Sequence, residues 1–386
     1  MKKLILVTIA LLSLPIAFTS CEKEDAVPPQ NDYILINEDI NVVTTWTADK
    51  LYVVEGTVSI DANLTIQPGT VIKFKADAAL HFGYNQNTTV TANGTPDKRI
   101  VFTSYSSMPT PGAWNGLLFY NNTLENSSLT YCDIDYAGES GWEAVGVYCK
   151  LTFNNNRVRF SKSVAINLDS EGAFVAMNGN TVENCGTHAV SLYPYAIHTL
   201  GTNNTFICKE GYGIIIPEYG EVTSTHGTSL TWRKQSVPYI FNSTARVETN
   251  LTIQPGTILK FNAEAYISFG FYATNTVTAI GTANEPIVFT SSNLTPAAGA
   301  WNGVEVYNNT TSNSKFEYCE FNYGAKHTYD FSAGLYINEL NGLTVKNCSF
   351  NHSAKWGIYL DYCTLSAQST GNTFNACAAG NIGTSN

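Results

Sequence analysis

Tyr336 and Tyr359 share one local setting, Gly334-Leu335-Tyr336 and Gly357-Ile358-Tyr359, and Asp361 lies two residues past the second tyrosine. If Leu335, Ile337, Ile358 and Leu360 face inward, strand alternation turns both rings outward, one above the other with the carboxylate beside them. An exposed aromatic next to carboxylate and amide groups can stack on a sugar ring and hydrogen-bond its hydroxyls. Tyr148 is expected in the same slot earlier in the chain, followed by Asn167 and Asp169. The competing reading is an aromatic ladder that only stabilises a sheet. A second constellation sets acids against arginines, with Asp133, Arg157 and Thr181 in one outward column and Asp135, Arg159 and Glu183 in another. A lyase would use Arg157 or Arg159 to neutralise the substrate or abstract a proton, with the acids holding a metal. A structural ion-pair ladder is the plainer reading. The corresponding later residues, Glu320, Ser349, Thr373, Asn322, Asn351 and Asn375, include no arginine.

Other chemistry is bounded by what the chain lacks. No G-x-S-x-G, H-E-x-x-H, Walker loop or dinucleotide fingerprint occurs, so no catalytic residue, metal or cofactor is assigned. The formal net charge is −10 and only 13% of residues are charged, which leaves no basic stripe for nucleic acid. Beyond Cys21 there are eight cysteines without C-x-x-C or Cys/His spacing. They read as buried packing thiols; Cys132 and Cys319 occupy one recurring slot, Cys185 and Cys377 another, and Cys319 with Cys348 is the pair to examine for a disulfide.

The elements that must position these residues follow from repetition. LTIQPGT at 64–70 recurs at 251–257, IVFTS at 100–104 recurs at 287–291, and AWNG at 113–116 recurs at 300–303, all at an offset of 187. A short indel then moves the offset to 192, so that GNTVENC at 179 matches GNTFNAC at 371. A shorter period lies inside each copy. Cys132, Asn156, Asn180 and Asn204 are 24 apart, and each is followed two residues later by Ile134, Val158, Val182 or Phe206. Ile166, Val190 and Ile214 keep the same step, as do Leu151 with Val175 and Phe153 with Met177. Three short alternating strands per step, separated by Asn and Gly turns, can bury their apolar sides only by coiling. The fold class is therefore all-β, a right-handed parallel β-helix of single-stranded coils with about 24 residues each. The Asn column is expected to bond amide to amide and to the turn backbone.

The N-terminus MKKLILVTIALLSLPIAFTSC has two lysines, an apolar run and then small residues, the layout of a secretory signal. Phe18-Thr19-Ser20-Cys21 resembles a lipoprotein signal-peptidase box, which implies lipidation of Cys21. Glu22-Lys23-Glu24-Asp25 looks like the export tag of Bacteroidetes lipoproteins, which implies an outer-membrane, surface-exposed protein. TTWTADKLYVVEGTVSIDANLTIQPGTVIKF and its partner from Thr231, with GTPDKRIVFTS and PGAWNG, resemble a module common in surface β-helix proteins of Bacteroidetes. The expected domains are a signal peptide at 1–20, a lipidated N-terminus and linker at 21–43, and repeat copies at 44–229 and 230–386. Three functions stay open: a non-catalytic module binding a glycan or other surface ligand, a polysaccharide lyase or hydrolase with an unfamiliar site, and a structural spacer. The expected partners are the membrane, through the lipid anchor, and a polysaccharide or other surface ligand.

Overall fold

The computed structural model describes residues 32–139, 141–169 and 172–385. Cys21 and the signal segment lie outside them. From Tyr33 onward the chain is one compact unit built of short strands, with a single 3-10 helix at Pro194–Thr199 among the described residues. Every strand pairing is parallel, and successive strands step round three faces, so the chain is a right-handed parallel β-helix. Face A begins with eight strands, from Tyr33–Ile36 to Thr205–Ile207. Face B is one sheet of thirteen strands, from Thr57–Ile60 to Thr373–Asn375. At the parallel-strand spacing it is roughly 60 Å long. Face C runs from Thr44–Trp46 to Ala173–Ala176, gives way to the 3-10 helix, and resumes as seven strands from Gly220–Thr223 to Gly380–Ser385. Five strands from Ser229–Trp232 to Thr344–Lys346 complete the second half of face A.

The 24-residue step sets the register of the middle coils. Ile134, Val158, Val182 and Phe206 pair in one column and are almost wholly buried. Ile166, Val190 and Ile214 form a second column. The turn leading into face A explains the sequence pattern, because it passes through one left-handed residue: Tyr131, Asn155, Gly179 or Asn203, at φ between 52° and 68°. Glycine and asparagine tolerate that conformation best. The next residue carries the ladder. Asn156 Oδ1 accepts from Cys132 N at 2.8 Å, Asn180 Oδ1 from Asn156 N at 2.8 Å, and Asn204 Oδ1 from Asn180 N at 3.0 Å. Their amide nitrogens donate to Leu129 O, Phe153 O and Met177 O. The ladder therefore runs mainly from amide to backbone, with one amide-to-amide bond, Asn180 to Asn204 at 3.0 Å.

Three expectations need correction. Thr152 is paired with Ala176 across a bulge, so Phe174 takes the core place expected of Val175, which is 51% exposed. Several coils outside the middle stretch depart from 24 residues: Leu51 pairs with Val71, Val71 with Val101 and Ile100 with Cys132, steps of 20, 30 and 32, whereas Ser349 to Thr373 and Ile358 to Ile382 step by 24 again. The extra residues lie in loops, and the three steps recur in the second half as Tyr239 to Leu259 to Phe289 and Ile287 to Cys319. The first coil also starts inside the region expected as a linker, since Tyr33–Ile36 pairs with Leu51–Val54.

Equivalent residues of the two copies pack alike but not on the same face. Trp114 stacks on Phe74 and donates to Asp135 O, as Trp301 stacks on Phe261 and donates to Asn322 O. Cys132 and Cys319 are buried free thiols, each donating to an alanine carbonyl at 3.3 Å. Cys348, one coil from Cys319, is also a free thiol. Yet Val71–Phe74 lies on face A and its counterpart Ile258–Phe261 on face B, while Ala79–Phe82 lies on B and its counterpart Tyr266–Phe269 on C. The second copy is turned by one face about the axis.

Candidate functional site

On face C of the second copy, Ala333–Asn338 pairs with Trp356–Asp361, which sets Tyr336 beside Tyr359 and Asn338 beside Asp361. The two rings are 6.3 Å apart and nearly parallel. Tyr336 OH donates to Asp361 Oδ2 at 2.5 Å, and Asn338 Nδ2 donates to the same oxygen at 3.1 Å. Partial burial raises the Asp361 pKa, but hydrogen bonds from Ser385, Tyr336 and Asn338 together outweigh it and hold the carboxyl below its ordinary value. Burial and the adjacent carboxylate both push the Tyr336 hydroxyl up, so it stays a donor.

The strip is wider than the sequence suggests. Tyr307 meets Tyr336 edge-on at 6.3 Å and Phe271 at 4.8 Å, and Arg246 lies over the Phe271 and Tyr272 rings at 4.7 and 4.8 Å. On the other flank Phe331 stacks on Tyr329 and approaches both Tyr336 and Tyr359. Tyr272 and Tyr329 are more than half exposed. Beneath the rings sits Glu305, the strand neighbour of Tyr336. Its burial raises its pKa against the hydrogen bond from Tyr307 OH at 2.9 Å. Glu248 anchors one end by accepting the backbone N–H groups of Phe271, Tyr272 and Ala273, much as its counterpart Asp61 accepts those of Asn85 and Gln86.

Tyr148 does not occupy the expected slot. Leu117 pairs with Val145 as Val304 pairs with Leu335, so the counterpart of Tyr336 is Gly146 and Tyr148 stands where Asn338 does. It stacks on Tyr120 at 5.3 Å and 8°, and its hydroxyl donates to Glu143 Oε1 at 3.0 Å. Asn167 is the strand neighbour of Gly146, and Asp169 follows one residue beyond Leu168, above Tyr148. The Asp169 charge is one of the influences raising the Tyr148 hydroxyl pKa, after burial and Glu143. The structure adds His81, Tyr84 and Trp142 to this patch, with His81 5.2 Å from Tyr120 and 6.4 Å from Trp142. Burial lowers the His81 pKa, and its Nε2 is enclosed without a hydrogen-bond partner. Trp142 sits in a loop, where no periodicity singles it out.

The acid–arginine columns assemble as a ladder. Arg159 grips Asp135 with two bonds of 2.8 Å, and Arg99 holds Asp133 at 2.7 Å together with two carbonyls. Arg157, half exposed, is 3.9 Å from Asp133. Arg159 is thus committed to a carboxylate. A groove of about 680 Å³ opens where the 3-10 helix interrupts face C, with Val175, Tyr195, His198 and His226 along it. Among the described residues no cluster of three or more His, Cys, Asp or Glu is placed to hold a metal.

Fold and surface together define a parallel β-helix protein that carries aromatic strips edged with carboxylates. The chain belongs to the pectate-lyase-like β-helix domain family, whose model matches residues 38–154 and 223–343. No curated protein and no solved structure matches it.

Proposed function

We propose that this protein is a lipoprotein of a Bacteroidetes outer membrane, anchored through Cys21 and facing outward, that binds a glycan without cleaving it. The observation that carries the reading is the face C strip, where Tyr336 and Tyr359 lie parallel beside Asp361 and within a larger set of exposed rings. Rigid aromatics bury a sugar's apolar face at little entropic loss, while the carboxylate and Asn338 bond its hydroxyls. Exposed rings of this kind separate a binding module from a bare spacer. A purified-protein screen against polysaccharides, read for binding and for release of reducing ends or unsaturated products, tests the proposal. Tyr336→Ala with Tyr359→Ala should weaken binding roughly tenfold to a hundredfold, the equivalent of ~1 to 3 kcal/mol, without unfolding the coil. Full affinity in the double variant would move the site elsewhere.

Glu305 favours one second reading. A half-buried carboxyl with a raised pKa is the form of a general acid. If the screen finds cleavage, and Glu305→Gln abolishes it while binding persists, the protein is a polysaccharide-cleaving enzyme instead. The anchor has its own test: Cys21→Ala should shift the protein from the membrane fraction to the soluble one. Retention on membranes after a high-salt wash would rule the lipid anchor out.

A further inference from the structure

We infer that the protein holds two glycan chains at once, through separate strips on different faces, and so cross-links them. This rests on the glycan-binding reading above.

The second copy is turned by one face, so features that match in sequence point in different directions. Tyr84 and Tyr120 follow strands Ala79–Phe82 and Gly116–Phe119 of face B, and their counterparts Phe271 and Tyr307 follow Tyr266–Phe269 and Gly303–Val306 of face C. Each copy adds its own hydroxyl–carboxylate pair to these rings, Tyr148 with Glu143 in the first and Tyr336 with Asp361 in the second. Each also adds exposed aromatics from the loop before the strand, Trp142 in the first copy and Tyr329 with Phe331 in the second.

The first-copy patch has the parts of a sugar site. Tyr120 and Tyr148 lie parallel, Tyr84 is 55% exposed and Trp142 is 37% exposed. Glu143 supplies an acceptor, and the enclosed His81 Nε2 is a polar atom still lacking a partner. Carboxylates edge both strips and disfavour an acidic glycan, which fits a neutral one. Arg246, the cation of the second strip, is already paired with Glu221 at 3.0 Å. A single extended chain cannot follow both strips, since a corner of the coil separates face B from face C. Two strips therefore mean two chains.

The test uses the mature protein with cellohexaose, xylohexaose, mannohexaose and laminarihexaose in calorimetry, and the matching soluble polymers in light scattering. Two hexasaccharides should bind per protein, and the polymer mixture should scatter strongly. Tyr120→Ala with Trp142→Ala should leave one hexasaccharide site, as should Tyr336→Ala with Tyr359→Ala. Either double variant, folded by circular dichroism, should still bind polymer but lose the scattering by tenfold or more. One hexasaccharide per wild-type protein, or scattering that survives either double variant, overturns the cross-linking inference and leaves the binding reading standing. If none of the four sugars binds the wild-type protein, the cross-linking of neutral glycans is overturned, and the polysaccharide screen alone decides the binding reading.

Discussion

Val182→Asp is expected to lower stability by on the order of 4 kcal/mol or more, because an unpaired carboxylate would replace a side chain enclosed by the column above and below it. Val182 is 1% exposed and pairs with Val158 on one side and Phe206 on the other, both in the same continuous core. The carboxylate has two ways to respond. It can stay ionised without a counter-charge, or take up a proton and bury a carboxyl without a planned partner; each opposes folding. Thr181→Asp is the control, because Thr181 faces outward one residue earlier, stacked on Arg157. That change should stay within about 0.5 kcal/mol. Urea denaturation followed by far-ultraviolet circular dichroism compares the two. Equal midpoints for Val182→Asp and the unaltered protein would falsify the inward column and the register built on it.

That column was readable from sequence because three features of the middle coils agree. The 24-residue step recurs three times, a left-handed Asn or Gly marks the turn, and the ladder asparagine follows it at once. Legibility ends where one of them fails. In Ala173-Phe174-Val175-Ala176 two adjacent apolar residues compete for one inward position, and spacing alone chose Val175. The bulge reverses that choice. Pro194 carries the signal for the break in face C, since a residue without an N–H cannot serve an interior ladder and suits the start of the 3-10 helix. The turn of one copy by one face could not be read from matching residues. An offset counts residues, whereas the face is set by how many strand places the chain has passed, and the helix fills one of them.

The site was legible in part for a similar reason. Gly-x-Tyr parity was enough to set Tyr336 on Tyr359, since those coils are adjacent and uninterrupted. Tyr148 was misplaced by two residues because the indel between the copies falls between Cys132 and Leu151, just where the equivalence was needed. Phe271, Tyr307 and Glu305 come from earlier coils and Phe331 from a loop. None shares a local pattern with Tyr336, and only the winding brings them together.

The second large effect is expected at Asn180, whose side chain looks replaceable by composition and is not. Its Oδ1 accepts from Asn156 N and its Nδ2 donates to Phe153 O, with the residue 1% exposed. Asn180→Ala removes both partners and leaves a backbone donor and a backbone acceptor enclosed. At ~1 to 3 kcal/mol for each of the two unsatisfied groups, a loss of roughly 2 to 6 kcal/mol follows, since Ala has no polar atom to offer in return. Arg157→Ala supplies the contrast. Its ion pair is 3.9 Å long with a half-exposed side chain, so about 0 to 1 kcal/mol is expected. Asn180→Asp separates the two bonds: it keeps an acceptor for Asn156 N but turns a second oxygen towards Phe153 O, so it should be no milder than Ala. Hydrogen exchange supplies the local readout, with the Asn156 amide expected to lose protection in Asn180→Ala. If that amide stays protected and the urea midpoint is unmoved, the ladder is ornamental and the coil is held by its apolar columns alone.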